Sequence, residues 1–334
     1  MEHYLDNAAT TKPCAETAAA VMSCISSHYG NPSSLHRKGL EAQHEVEYAR
    51  NQVAGALGCK AQEIVFTSGA TESTNLALCG AAAAYGRKRK KIITSAVEHA
   101  SVRETMAHLE TLGFTVVSVP PAEDGLYHAE DFLKEVDKDT CMVSIMLVNN
   151  ENGYRMPVEE VFRTVKRRDP DIITHCDAVQ GFLKVSFKPR TLCADLVSLS
   201  GHKVHALKGA GALYIRQGVR LKPVLYGSRQ EKGLRPGTEG VPVIAAFGAA
   251  AEKLVMTMDE RYDAVSGLRS SLIEQLKEMD GVIIRDLPSA SPYVLNISLL
   301  GYRSEIVLHY LEQREVYISS GSACSKGASS GVLE

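Results

Sequence analysis

The chain has 334 residues, of which 45% are hydrophobic and 23% charged, and its formal net charge is −2. This length suits about two domains with a core large enough to need no disulfides. The near-neutral charge gives no reason to expect nucleic acid or an anionic membrane as a partner. No apolar run reaches the roughly 18 residues of a spanning helix, and the N-terminus lacks a basic stretch before an apolar core. We therefore expect a cytoplasmic protein.

The eight cysteines are scattered, with no C-x-x-C pair and no His neighbour at metal-ligand spacing, so we expect no metal site. Most of them lie in apolar company, where a free cysteine behaves as a small hydrophobe. Cys324 differs, because it lies in the Ser- and Gly-rich stretch "SSGSACSKG". The cysteines are Cys14, Cys24, Cys59, Cys79, Cys141, Cys176, Cys193 and Cys324.

Strands and helices alternate through the first two thirds of the chain. Helical periodicity covers residues 38–57, and further helices are expected at about 71–84, 100–112, 129–136 and 157–168. The expected strands are "EIVFTSGA", "KIITS", "FTVVSV", "CMVSIMLV", "DIITHCDAV", "DLVSLS" and "ALYIR". Most are unbroken apolar runs, which is typical of strands covered on both faces. The pattern predicts an α/β domain with a mostly parallel sheet in three layers.

From Val241 the pattern changes to a long helical region, in which we expect a break near Gly267. The strands "GVIIRDL" and "YVLNISLL", a helix at about 303–313 and the strand "VYISSG" follow. Fewer strands and longer helices indicate a smaller α+β domain. We expect residues 16–245 to form the large domain and residues 1–15 and 246–334 the small one.

In a doubly wound sheet, ligands bind at the loops beyond the carboxyl ends of the strands. After "EIVF", small residues from Ser68 to Thr71 open a helix, where free backbone N–H groups suit an anion; the same residues also suit a plain N-cap. His99 follows "KIITSAV" and is either a catalyst or a helix cap. After "CMVSIMLV" come Asn149, Asn150 and Asn152, which suit either Asx turns or ligand recognition.

The next two strand ends carry Asp177 and Lys203. A carboxylate at the end of a buried strand needs a cationic or hydrogen-bonding partner, and Gln180 follows three residues later. Lys203 lies between two histidines, where neighbouring charge and burial favour a nucleophilic amine, although most lysines are solvated. An anion site, a lone Asp and a Lys are the groups that pyridoxal 5′-phosphate (PLP) requires. Their joint order along the sheet favours PLP.

Nine blocks in order resemble the cysteine desulfurases of the NifS/IscS type, which are PLP enzymes of fold type I in the class V aminotransferase group. The resemblance covers residues 5–330, and its last block is typical of the IscS-like subgroup. The blocks are "LDNAATT", "GNPSSLH", "FTSGATEST", "EHASV", "VNNENG", "HCDAVQ", "SLSGHKVHALKGAGALY", "RPGTE" and "SSGSACS".

The resemblance implies a role for each matching residue. Lys203 would hold PLP covalently, Asp177 would face its ring nitrogen, and His99 would contact the ring and act as an acid/base. Asn150 and Gln180 would lie near the ring oxygen. The phosphate would be held by Ala70, Thr71, Ser200 and His202, and Thr238 would reach it from the second subunit of a homodimer.

The implied reaction converts L-cysteine to L-alanine and leaves a persulfide on Cys324. The sulfur would pass to an acceptor protein, such as an iron–sulfur scaffold or a tRNA-thiolation enzyme. The chain stops ten residues after Cys324, and no motif match supplies the arginine that binds the substrate carboxylate in relatives. We therefore expect a C-terminally truncated small domain.

Three alternatives stay open on the residues alone. A selenocysteine lyase or an aminotransferase would share the fold, although aminotransfer needs no thiol at Cys324. A truncated, poorly active protein that binds sulfur-transfer partners would also fit. A Rossmann dehydrogenase fits worst, because no G-x-G-x-x-G follows a first strand.

Overall fold

The protein is described from a computed structural model over residues 1–321, so Cys324 lies outside the described residues. The strands are β1 (His3–Tyr4), β2 (Ile64–Thr67), β3 (Lys91–Ser95), β4 (Thr115–Val119), β5 (Thr140–Met146), β6 (Ile173–Asp177), β7 (Leu196–Ser200), β8 (Gly211–Ile215), β9 (Val282–Arg285), β10 (Asn296–Leu299) and β11 (Val316–Tyr317). The helices are α1 (Ala15–Ser26), α2 (Arg37–Leu57), α3 (Ala70–Tyr85), α4 (Ala100–Thr111), α5 (Ala129–Leu133), α6 (Val158–Arg168), α7 (Pro189–Leu192), α8 (Val241–Met256), α9 (Met258–Lys277) and α10 (Ser304–Glu312).

Seven strands form one sheet in the order β2-β8-β7-β6-β5-β3-β4. All neighbours are parallel except that β8 runs antiparallel to both β2 and β7. β2 and β7 therefore run the same way, and the carboxyl ends of all strands except β8 meet at one edge. This mainly parallel sheet confirms the predicted fold class.

Helices cover both faces of the sheet and complete three layers. Neighbouring residues of a strand point to opposite faces, so Ile64 and Phe66 of β2 belong to one buried cluster and Val65 to the other. The cluster around Val65 packs under α3 and α4, and the cluster around Ile64 packs under α2, α6 and α8. Because both faces are buried, these strands are apolar at nearly every position, which is why the sequence pattern locates them well.

The predicted break near Gly267 is wrong, because Gly267 lies inside α9. The long helical region divides at Thr257, between α8 and α9, with a bend of 72°. The guanidinium of Arg261 accounts for this position. It donates to the carbonyl oxygen of Leu254 at 2.8 Å and to that of Leu183 at 3.1 Å, so the break leaves the Leu254 carbonyl paired.

The C-terminal elements are smaller. β9 and β10 form an antiparallel pair, and β11 pairs in parallel with β1, so the N-terminal segment reaches the C-terminal part of the described chain. The predicted domain boundaries at residues 15/16 and 245/246 stay a prediction.

Over residues 1–321, no single helix is long and apolar enough to span a membrane, and only the bent pair of α8 and α9 has the length and composition together.

Candidate active site

The start of α3 offers unpaired donors at the carboxyl edge of the sheet. Gly69 precedes the helix without a side-chain cap, and in the described chain the N–H groups of Ala70 and Thr71 donate to no protein acceptor. The loop can approach β8 because a Cβ on Gly211 would lie 2.6 Å from the Gly69 backbone. Two free N–H groups at a helix N-terminus suit an anion, as the sequence predicts.

Ser200 adds a hydroxyl at the same edge. Its position at the end of β7 is in register with Gly211, which is in register with Thr67 at the end of β2. The Ser200 Oγ is buried and has no hydrogen-bond partner among the described residues. A buried hydroxyl of this kind is costly unless a ligand satisfies it.

Lys203 lies in a single 3₁₀ turn directly after β7. Its Nζ donates to the carbonyl oxygens of Ala8 at 2.6 Å and Ala9 at 2.7 Å, so the N-terminal segment lies across the lysine. Thr11 strengthens this contact, since its backbone N–H and its hydroxyl both donate to the carbonyl of His202 at 2.9 Å. Burial, together with nearby lysine charges, lowers the pKa of His202 to about 4, so this imidazole is neutral.

Asp177, at the carboxyl end of β6, is buried with 5% of its surface exposed. Burial raises its pKa, while the charges of His99 and Lys203 and a 3.0 Å hydrogen bond from the Val179 N–H act in the opposite direction. Three residues that the sequence singles out separately therefore interact electrostatically in the fold.

His99 is the N-cap of α4, and its Nδ1 accepts from the Ser101 N–H at 3.1 Å. A backbone N–H only donates, so Nδ1 carries no proton and the proton of the neutral ring resides on Nε2. The predicted helix cap and the predicted proton carrier are thus compatible, because capping engages Nδ1 while the ring proton resides on Nε2.

Of the asparagines after β5, two form Asx turns and one is available for ligand recognition. Asn149 is buried, and its Oδ1 accepts from the N–H groups of Glu151 and Asn152, which is an Asx turn. Asn152 likewise accepts from the Tyr154 N–H at 2.9 Å. The Asn150 side chain forms no hydrogen bond in the described part of the chain, so it is the one available to a ligand.

Gln180 is buried and its Nε2 donates to the Ala8 carbonyl at 2.9 Å, the same oxygen that accepts from Lys203.

Thr238 is exposed and lies beside Tyr29, Gly30 and Asn31. No hydrogen bond among the described residues joins Thr238 to the Lys203 cluster.

Sequence reasoning missed four groups of this site. Ala8 and Ala9 act through backbone carbonyls, which carry no side-chain signal. Glu98 is fully buried beside Asp177, and Lys184 donates to the Gln180 side chain at 2.9 Å. An ionisable residue within an apolar stretch, as in "GFLKVSF", is the one sequence signal for Lys184.

The chain matches the family Aminotransferase class-V over residues 3–332. It is 39% identical to the cysteine desulfurase IscS of Dictyoglomus turgidum, covering 98% of this chain and 83% of that protein. It is 40% identical to a cysteine desulfurase of Nostoc sp., covering 97% and 81%. Among solved structures, a NifS-like protein has 39% identity and a TM-score of 0.92, covering 96% of this chain and 88% of that one. The structure of SspA in complex with cysteine has 32% identity and a TM-score of 0.82, covering 99% and 93%.

The sheet and its edge define a class V aminotransferase fold, with buried Asp177 and the half-buried Lys203 and His99 at the carboxyl edge. The chain belongs to the cysteine desulfurases of the NifS/IscS type within that class, as the sequence motifs predict. Members of this family are PLP-dependent enzymes.

Proposed function

We propose that this protein is a PLP-dependent cysteine desulfurase that converts L-cysteine to L-alanine and takes the sulfur as a persulfide on Cys324. The observation that carries the proposal is that Asp177 ends β6, and Lys203 and His99 follow β7 and β3, at the same carboxyl edge of the sheet. The aminotransferase and selenocysteine lyase alternatives are not favoured, because the relatives are named cysteine desulfurases.

The described residues fit PLP group by group. The buried Ser200 hydroxyl, which has no described partner, and the free N–H groups of Ala70 and Thr71 suit its phosphate, with His202 beside them. Asp177 would face the ring nitrogen, and the Lys203 amine would hold the aldehyde carbon. Gln180 and Asn150 would face the ring oxygen, and Thr238 would reach the phosphate from a second subunit. Bound PLP would supply an electron-withdrawing ring next to the substrate Cα.

The side chains would then divide the proton transfers. Lys203 would move the Cα proton of the substrate, because an amine at this position can accept and return a proton. His99 would hold a proton at Nε2, since Nδ1 is engaged by Ser101. The Cys324 thiolate would attack the sulfur of L-cysteine, so that a new S–S bond replaces the C–S bond and the thiol proton remains for alanine.

Acceptor proteins for the sulfur, an iron–sulfur scaffold or a tRNA-thiolation enzyme, are part of the proposal, as is a homodimer. The free cysteines of the described residues support a reducing compartment, and we propose the cytoplasm.

Steady-state assays of alanine and sulfide from L-cysteine test the proposal. The wild-type protein should be coloured by PLP and form alanine, Lys203→Ala should do neither, and Cys324→Ala should keep the colour but form no persulfide. A colourless wild-type protein that gains no chromophore when PLP is added would refute the proposal.

A further inference from the structure

Lys184 is the one lysine that is buried in the described part of the chain, with 7% of its surface exposed. Burial, with the charges of Lys203 and Arg261, lowers its pKa to about 7. Its Nζ donates to Oε1 of Gln180 at 2.9 Å, and it forms no ion pair with a described carboxylate. An apolar side chain would avoid this desolvation cost, so packing alone does not account for a lysine here.

Hydrogen bonds to Ala8 and Lys184 together determine which way the Gln180 amide faces. The carbonyl oxygen of Ala8 only accepts, so the Gln180 atom beside it must be Nε2, and the amide oxygen is left to accept from the Lys184 Nζ. The NH2 group then faces away, where Nε2 donates to the Ala8 carbonyl at 2.9 Å. Lys203 donates to the same carbonyl oxygen at 2.6 Å. Gln180 is thereby held as a hydrogen-bond donor next to Lys203.

A single short segment supplies these groups. β6 ends at Asp177, and the chain then turns, with the Phe182 N–H donating to the Ala178 carbonyl at 2.8 Å and the Val185 N–H to the Gly181 carbonyl at 2.9 Å. Leu183, inside this turn, has a φ of 58°, and the turn brings the Lys184 Nζ to 2.9 Å from the Gln180 Oε1. The segment thus joins the carboxylate of Asp177, the amide of Gln180 and an ammonium that orients the amide.

We propose that Lys184 is a positioning residue that fixes Gln180 with its NH2 group toward the cofactor site, where it donates to an oxygen of the PLP ring. The inference rests on the proposed binding of PLP. Without Lys184 only the hydrogen bond to the Ala8 carbonyl opposes rotation of the amide, and an amide oxygen turned toward a ring oxyanion would repel it.

A double-mutant cycle separates positioning from packing. PLP is titrated into the apo forms of wild type, Lys184→Met, Gln180→Met and the double variant, with binding followed by visible absorbance and folding by the melting temperature. Each single change should weaken PLP binding roughly tenfold or more, and the double variant should bind no more weakly than Gln180→Met.

Lys166→Met is the matched control. Lys166 is also largely buried but pairs with Asp195 at the opposite edge of the sheet, so this change should lower the melting temperature and leave PLP affinity unchanged.

If Lys184→Met fails to fold, Gln180→Glu provides a second test. The new carboxylate would keep an acceptor for Lys184 but would meet the Ala8 carbonyl with an oxygen instead of an N–H donor, so it should weaken PLP binding. The inference is overturned if Lys184→Met binds PLP within about twofold of wild type, and Gln180→Glu is judged by the same limit if it has to replace Lys184→Met. It is also overturned if the losses of PLP affinity in the two single variants add in the double variant. A wild-type protein that binds no PLP would instead refute the proposed function itself.

Discussion

Asp177 and Glu98 are two buried carboxyl groups whose surroundings differ. Electrostatic interactions with Lys203 and His99 oppose the rise that burial causes in the pKa of Asp177. Glu98 accepts from the Ser95 hydroxyl at 2.7 Å and the Met146 N–H at 2.9 Å, and burial raises its pKa to about 8, with the Asp177 charge adding to the effect. Neighbouring carboxyls with such different environments take different protonation states. Glu98 keeps its proton at neutral pH, whereas Asp177 is the carboxyl group whose rise in pKa is opposed by Lys203 and which a cationic ring nitrogen would stabilise as a carboxylate.

The Glu98 proton predicts a stability change with pH. Its pKa is raised in the folded state, so the folded protein binds more protons than the unfolded chain, and stability falls as pH rises from about 4.5 to about 8. Between pH 6 and pH 9 wild type should lose about 2 kcal/mol more than Glu98→Gln, which has no titrating group there. Urea unfolding of both proteins at the two pH values measures the difference, and parallel losses would refute a protonated Glu98.

Asp177→Asn removes the charge proposed to face the ring nitrogen. Alanine formation should fall on the order of 100-fold, because a preorganised buried charge is lost from the reacting centre. The melting temperature of the apo protein should hold or rise, since burial disfavours the carboxylate. Rates and melting curves of the variant check both expectations, and a near-wild-type rate would exclude the proposed role of Asp177.

At the scale of elements, the buried strands of the sheet were predictable because their apolar residues run unbroken. The break between α8 and α9 was not, since it depends on Arg261 reaching Leu254 and Leu183. Gly267, the expected break, lies in α9 with open space around it, and helices tolerate a glycine at a cost of about 1 kcal/mol. Tertiary contacts override local propensity at that point.

In the site, too, groups that follow an apolar strand could be located from the sequence, and groups placed by tertiary contacts could not. Asp177, Lys203 and His99 were predictable because each polar side chain follows an apolar strand. The carbonyls of Ala8 and Ala9 were not, because they act through the backbone, and only the folded chain brings them to Lys203.

The pair of Arg50 and Glu231 joins α2 to the loop that precedes Thr238. Arg50 donates to both carboxylate oxygens of Glu231, at 2.6 and 2.9 Å, and both side chains are buried. Arg50→Met should therefore cost about 3–5 kcal/mol of unfolding free energy, because it leaves the Glu231 carboxylate buried without its cation. Arg37→Met, in an exposed pair with Glu41, is the control and should cost less than about 1 kcal/mol in the same denaturant titration. Equal losses of unfolding free energy in Arg50→Met and Arg37→Met would show that burial of the ion pair does not matter.

At the scale of the whole molecule, we propose that Thr238 completes a site shared between two subunits. Hybrid dimers of Thr238→Ala and Lys203→Ala subunits test this, because one site of each hybrid would combine an intact Lys203 with an intact Thr238. The hybrids should form alanine at roughly half the wild-type rate. Dimers made only of Thr238→Ala or only of Lys203→Ala subunits should be well below that half rate. Hybrids no more active than the parents would place Thr238 in the site of its own chain.

The central claim, that this chain takes sulfur from L-cysteine onto Cys324, is tested most directly by peptide mass after reaction with L-cysteine. Three other cysteines provide an internal control, because burial raises the pKa of Cys24 and Cys141 to about 11 and that of Cys59 to about 12, which leaves them as thiols of low reactivity. We predict one added sulfur on the peptide that contains Cys324, alanine in equal amount, and no adduct in Cys324→Ser. Alanine formed without a sulfur adduct on that peptide, or at an undiminished rate in Cys324→Ser, would contradict the claim.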